Sequence, residues 1–137
     1  MNKIIALVPM KGHSERIPNK NLKLIAKKPL LYWILRTLTG SDYISEIYVD
    51  TDSSKIKNVI KSFFGQRIDF INRPSHLYGD HVAMNKIIAH DISQIKGNLF
   101  LQSHATNPFL TVKTLNKAIT KYFRVVKEGY DSLFSVV

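Results

Sequence analysis

The sequence predicts an α/β protein, a three-layer sandwich around a mostly parallel central sheet. Two observations carry that expectation. Short apolar runs rich in branched residues alternate along the chain with segments of helical periodicity, and polar loops marked by Gly and Pro follow the runs. Strands alternating with helices form parallel sheets covered on both faces. The length agrees: 137 residues suit one domain, 1–137, able to bury roughly two-thirds of the surface its unfolded chain exposes. Hydrophobic residues make up 45% and charged residues 22%, close to globular averages of about 45–50% and 25%, so disorder is not expected.

Each element has its own warrant. Lys3 to Val8 is an apolar first strand, and Pro9 stops it. Residues 9 to 29 carry Gly12, Pro18, Asn19, Asn21 and Pro29, which is loop chemistry. Pro29 suits the first position of a helix in which Leu30, Leu31, Trp33, Ile34, Leu35 and Leu38 recur at helical spacing, and Gly40 ends it. Ile44 to Asp50 is a second strand. Asp52 or Ser53 caps the next helix, with Ile56, Val59, Ile60, Phe63 and Phe64 on one face and Gly65 at its end. Trp33 and the Phe63–Phe64 pair read as core residues. Ile68 to Ile71 is a third strand, and residues 72 to 81 are a polar loop. Val82 to Ile95 reads as a helix with Met84, Ile87, Ile88 and Ile92 inward. Asn98 to Gln102 is a fourth strand, Thr111 caps a helix reaching about Lys127, and Asp131 to Val137 is a fifth strand. A chain that stops on an apolar strand reads as truncated at its C-terminus.

Composition narrows the function classes. There is no cysteine, so disulfides and thiolate metal sites are excluded. The N-terminal apolar run is cut short by Pro9 and Lys11, before it could span a bilayer or act as a signal segment. A cytoplasmic protein with no membrane partner is the expectation. The net charge of +10 calls for anionic partners. Lys55, Lys57, Lys61, Lys113, Lys117 and Lys121 lie on helices and read as solvated faces. Lys11, Arg16, Lys20, Lys23, Lys27 and Lys28 fall instead in one early segment. No nucleic-acid recognition motif accompanies the charge, so no nucleic-acid partner is expected. His13, His76, His81 and His90 lack metal-ligand spacing and are assigned to surface or loop hydrogen bonding.

Ligands of parallel sheets bind at the carboxyl ends of strands, which is where the segment Val8 to Asn21 would lie. A nucleoside triphosphate carries about four negative charges, and its site needs cations, backbone N–H donors and glycine at points of close approach. Lys11, Arg16 and Lys20 supply cations, Gly12 allows the approach, Ser14 adds a hydroxyl, and Asn21 suits a ribose or base edge. Neither the P-loop pattern nor the Gly-x-Gly-x-x-Gly fingerprint is present. On these residues alone, a solvated basic loop remains an alternative.

The wider pattern resembles a known family. Pro-x-Lys-x-x-Ser-x-Arg-x-Pro-x-Lys-Asn, from Pro9 to Asn21, is similar to the Ala-Arg-x-x-Ser-Lys-x-x-Pro-x-Lys-Asn signature of acylneuraminate cytidylyltransferases, to which the CMP-Kdo synthetases are related. Val49-Asp50-Thr51-Asp52 resembles the family's Val-Ser-Thr-Asp. Asn72-Arg73-Pro74 resembles its Arg-Pro or Arg-Arg element, and Asp80 matches an acidic position soon after. His104-Ala105-Thr106-Asn107-Pro108 looks like Gln-Ala-Thr-Ser-Pro, and residues 129–137 resemble a Tyr-Asp-Ser-Val-Phe-Ser-Val strand. The resemblance implies a Rossmann-like fold and a Mg²⁺-dependent reaction in which CTP and a nonulosonic, sialic-type sugar acid give a CMP-sugar and pyrophosphate. It implies a CTP site of Pro9, Met10, Lys11, Gly12, Ser14, Arg16, Lys20, Asn21 and Arg73, with Lys11 and Lys20 catalytic. Gln102 and His104 are the candidates for the sugar, and a homodimer is implied for the full-length enzyme. A different sugar acid such as Kdo, or a CTP-binding module without turnover, is the alternative.

Four positions depart from the pattern. Lys11 replaces an arginine, keeping the charge but not its bidentate geometry. Glu15 stands where a lysine is usual. Val82 and Met84 replace serines of some relatives, and His104 replaces a glutamine, with Gln102 two residues earlier on the same strand face. The family's magnesium-binding aspartates come later than this sequence reaches, so the metal ligands are unassigned. Asp52 reads as a helix cap or loop organiser.

Overall fold

The computed structural model describes residues 3–13 and 16–136. Its core is a four-stranded sheet with the spatial order β5-β4-β1-β6, formed by β1 (Ile4–Pro9), β4 (Ile44–Thr51), β5 (Asp69–Asn72) and β6 (Leu99–Gln102). Every pairing in it is parallel. The chain builds outward from β1 through β4 to β5, then returns to β1's other side with β6. The order therefore reverses between β1 and β6.

β1 shows how the layers arise. Successive strand side chains point to opposite faces. Ile4, Ala6, Val8 and Met10 join one apolar cluster with Leu31, Ile34, Leu35 and Leu38 of α1 (Leu30–Thr39), Ile56 and Ile60 of α2 (Ser54–Phe64), and Leu115 and Ile119 of α4 (Val112–Val125). Ile5 and Leu7 join a second cluster with Ile71 and, at its edge, Ile88 of α3 (Met84–Gln94). The result is a sheet with helices on both sides. A strand covered on both faces needs a continuous apolar run, which is what Ile4 to Val8 supplies.

The helix starts follow capping chemistry. Ser53 accepts from the Ile56 amide at 3.2 Å, and Thr111 accepts from the Thr114 amide at 3.1 Å. Pro29 precedes α1, and Gly40 ends it. No helix among the described residues is long and apolar enough to cross a membrane.

Several expectations need correction. Residues 131–136 form no strand, and Phe134 and Val136 are exposed; an apolar run becomes a strand only when a neighbour offers a hydrogen-bonding edge. Segment 9–29 is not all irregular. It holds a 3-10 turn (Lys20–Leu22) and a small hairpin of β2 (Leu24–Ile25) and β3 (Lys28–Pro29). The hairpin turn places Ala26 at φ 48° and Lys27 at φ 66°, the sign pattern of a type I′ turn that Asn-Gly usually supplies, so no turn signal marks it. The Trp33 indole N–H holds the hairpin by donating to the Ile25 carbonyl at 3.1 Å. Phe63 is exposed rather than core; its ring lies 5.2 Å from the Lys28 ammonium. On α3, Ile92 is exposed and Asp91 takes the inward position.

Two outcomes follow. Leu35→Ala, at a fully buried site, lowers the unfolding free energy by about 2–5 kcal/mol in urea titration. Replacing Ala26-Lys27 by Asn-Gly relieves the left-handed strain and raises it by about 1 kcal/mol.

Candidate functional site

The carboxyl ends of the four strands form one platform. At its centre is Asp50, near the end of β4. Ile47 and Val49 point into the larger apolar cluster, so alternation turns Asp50 to the opposite face, which α3 covers. Ile71 of β5 points to that same face, and so does Arg73 two residues on. There Arg73 Nε donates to Asp50 Oδ1 at 2.6 Å, and its Nη2 donates more weakly to the Asp50 carbonyl at 3.4 Å. Both side chains are essentially excluded from water, at 1% and 0% exposure. The Asp50 carbonyl also accepts from the Met10 amide at 2.8 Å. One residue thus ties the exit of β1 to the exit of β5.

Asp91 of α3 completes the cluster. It is buried to 1% exposure, and the ligand-type atoms of Asp50, His90 and Asp91 all lie within 4.8 Å of one another. Burial, first, and then the neighbouring Asp50 carboxyl push the Asp91 carboxyl up to about 9, with Arg73 opposing. The direction of that shift favours the protonated form of Asp91, which leaves one carboxylate to balance one guanidinium. His90 Nδ1 lies 3.5 Å from Asp91 Oδ1, too far for a firm hydrogen bond. His90 is half-buried on a helix, not the surface or loop residue expected from its spacing. Sequence reasoning missed Asp91 because periodicity is scored on apolar residues. The signal was positional: Asp91 lies three and four residues after the inward Ile88 and Ile87.

This cluster does not fit magnesium. Mg²⁺ demands octahedral oxygen ligands and keeps several waters. Here one Asp50 oxygen is taken by a guanidinium, and both carboxyl groups are shut away from the water that the ion would keep.

The loop after β1 departs from the platform. Pro9, the last residue of β1, and Met10, the first of the loop, are buried. Lys11 Nζ lies 2.5 Å from Asp80 Oδ1, and the Gly12 amide donates to Asp52 Oδ1 at 2.8 Å. Asp52 thus organises the loop, and Ser53 provides the helix cap. A Cβ on Gly12 would sit 2.6 Å from Ser53 Cβ, so the chain approaches α2 closely only because the residue is glycine. Asn21 is buried, and its amide donates to the Lys11 carbonyl at 2.9 Å, closing the loop on itself. Arg16 is exposed and Lys20 half-exposed. Ser14 and Glu15 lie outside the described residues. Gln102, at the end of β6, and His104 lie side by side with their Nε2 atoms 3.4 Å apart, both exposed.

The structure therefore brings Lys11, Gly12 and Asn21 together on one platform, with Gln102 and His104 across the β1/β6 reversal. It buries Arg73 beneath that platform. A groove of about 620 Å³ between Trp33, Phe63, Arg67 and Phe109 shares no residue with this site; strand-end chemistry, not volume, locates the candidate.

Three outcomes test the geometry. Arg73→Met leaves a buried carboxylate unpaired and costs about 3–5 kcal/mol in urea titration, most of it recovered in the double variant with Asp50→Leu. Gly12→Ala displaces the loop while leaving the melting of the core nearly unchanged by circular dichroism. Asp91 is protonated more readily in the fold than in the unfolded chain, where its ordinary value is 3.8. Its contribution to stability is thus complete below that value and is lost as pH rises through about 9. Urea titrations from pH 5 to 9 show that decline in the natural protein, and Asp91→Asn flattens it.

Comparison with known proteins agrees with the parallel fold. A family profile described as cytidylyltransferase matches residues 5–137. The chain is 30% identical over 134 residues to N-acylneuraminate cytidylyltransferase A of Danio rerio, covering 98% of this chain and 30% of that protein. It is 28% identical over 120 residues to 3-deoxy-manno-octulosonate cytidylyltransferase of Acaryochloris marina, covering 87% and 46%. A solved structure of CMP:2-keto-3-deoxy-manno-octonic acid synthetase complexed with CTP superposes with a TM-score of 0.76 at 16% identity, over 90% of this chain and 48% of that one. The chain thus spans less than half the length of these relatives. With its parallel sheet, its loop after β1 and a profile match over nearly its whole length, the chain belongs to the cytidylyltransferase family.

Proposed function

We propose that this chain is the nucleotide-binding part of an enzyme that joins CTP to a nonulosonic sugar acid of the sialic type, releasing pyrophosphate. The observation that supports it most is the state of the loop after β1. The Gly12 amide and the Lys11 ammonium each already hold a carboxylate oxygen, from Asp52 and Asp80. An amide and an ammonium that bind carboxylates in this way are also suited to phosphate oxygens. The triphosphate would take these donors in exchange for the two aspartates. Lys20, on the 3-10 turn of the same loop, and Arg16 would add charge.

In this reading the anomeric hydroxyl of the sugar acid attacks the α-phosphorus and gives up its proton to solvent, the bond to the bridging oxygen breaks, and pyrophosphate leaves. Lys11 and Lys20 stabilise the charge that builds on the phosphate oxygens. Gln102 and His104, across the β1/β6 reversal, orient the sugar acid. Arg73 serves the nucleotide from below, by holding the platform. Magnesium belongs to this reading as the ion that would neutralise charge on the triphosphate, with no residue of this chain assigned to hold it. A cytoplasmic setting, where CTP is made, and a dimeric full-length enzyme belong to the same reading. The same donors also serve a second reading, a CTP-binding module that does not turn over.

CTP added to the purified chain raises its melting temperature, and other nucleoside triphosphates raise it less. Lys20→Ala weakens CTP binding by about tenfold or more, as loss of a charge-assisted contact should. Pyrophosphate release, measured over a panel of sialic, Kdo, legionaminic and pseudaminic acids, identifies the sugar. Binding without release selects the second reading, and absence of any CTP effect sinks both.

A further inference from the structure

The buried cluster beneath the loop contains one group that the proposed chemistry leaves unused. Asp50 Oδ2 and both Asp91 oxygens are inaccessible to water and find no conventional donor among the described residues. Buried carboxylate oxygens without donors are costly. Two such groups side by side lower that cost when one is a carboxylic acid that donates to the other, and His90 Nδ1, also without a partner, lies 3.5 Å from Asp91 Oδ1, too far to do so firmly. The charged and titratable groups facing Asp91 are Asp50 from β4, Arg73 after β5 and its own neighbour His90. The part of β1 under α3 presents only Ile5 and Leu7.

We propose that Asp91 is a positioning residue for the nucleotide loop: its carboxyl group donates a hydrogen bond to Asp50, fixing Asp50 between Arg73 and the Met10 amide from which the loop departs. Asp50 touches all three. Its side chain meets Arg73 and Asp91, and its carbonyl meets Met10. A second negative charge at Asp91 would compete for Arg73 and push Asp50 out of that arrangement. The strand-end carbonyl that anchors Met10 would move with it, and Lys11 and Gly12 follow Met10 directly. The inference rests on the reading of that loop as the nucleotide site, but its first two measurements do not.

The test uses the natural protein, Asp91→Asn and Asp91→Leu. Carbon-detected NMR follows the Asp91 carboxyl across pH, amide exchange follows Met10, and calorimetry follows CTP at pH 7 and 9.5. The expected result is a protonated Asp91 at pH 7. Asp91→Asn, which keeps a donor, retains Met10 protection and CTP affinity within about threefold, whereas Asp91→Leu loses about tenfold in both. Alkaline pH weakens CTP binding by the natural protein and not by Asp91→Asn. An ionised Asp91 at pH 7, or a Leu variant indistinguishable from the natural protein, overturns the proposal. So does an Asn variant as impaired as Leu, or zinc-induced stabilisation that Asp91→Asn abolishes, which would make the cluster a metal site. If Asp91→Leu does not fold, the pH comparison between the natural protein and Asp91→Asn decides. If the natural protein binds no CTP at either pH, the nucleotide reading fails, while the carboxyl titration and the Met10 amide still decide what Asp91 holds.

Discussion

A guanidinium and a carboxylate, both shut away from water, meet where the strand ends converge. Arg73 and Asp50 lie 2.6 Å apart at almost zero exposure. A buried pair of this kind adds little net stability over a well-packed apolar pair, but losing one partner is costly. Its effect here is on geometry. Asp50 closes with Arg73 on one side and Met10 on another, so β1, β4 and β5 must end in register. Everything that follows β1, including the loop from Lys11 to Asn21, starts from that fixed point.

The loop itself is held by polar contacts at its ends and in its first turn. Asn21 reaches back to the Lys11 carbonyl, and Gly12 leans on α2 through Asp52. These contacts cost little to exchange, because Lys11, Asp80 and Asp52 all have access to water. A rigid buried base beneath an exchangeable rim suits an anion site. The base keeps donors in place, and the rim prevents them from standing bare when no ligand is bound.

Much of this was legible before any coordinates. The two-sided burial of β1 followed from five consecutive apolar residues, Ile4 to Val8, and the caps at Ser53 and Thr111 followed from their hydroxyls. The loop's position followed from strand-helix alternation. Other features were hidden for physical reasons. Ala26-Lys27 forms a left-handed turn without the usual residues, because the Trp33 indole and the Leu30 amide hold the hairpin from outside. Phe63 counted as apolar in a helical stripe but fell past its edge. Asp91 was invisible to any scale that places charged residues outside.

The sequence by itself determined the alternation of strands and helices, and with it the parallel sheet, the apolar faces and the basic loop after β1. Local patterns suffice for these, because periodicity and capping act between near neighbours along the chain. Only the tertiary structure decided that Arg73 lies under the platform rather than on it, that Asp50 and Asp91 share its burial, and that residues 131–136 pair with no described strand. Those outcomes depend on which groups from distant segments reach one another, and on whether the water between them is removed. The charge of a buried carboxyl and the fate of an apolar run are settled by that long-range encounter.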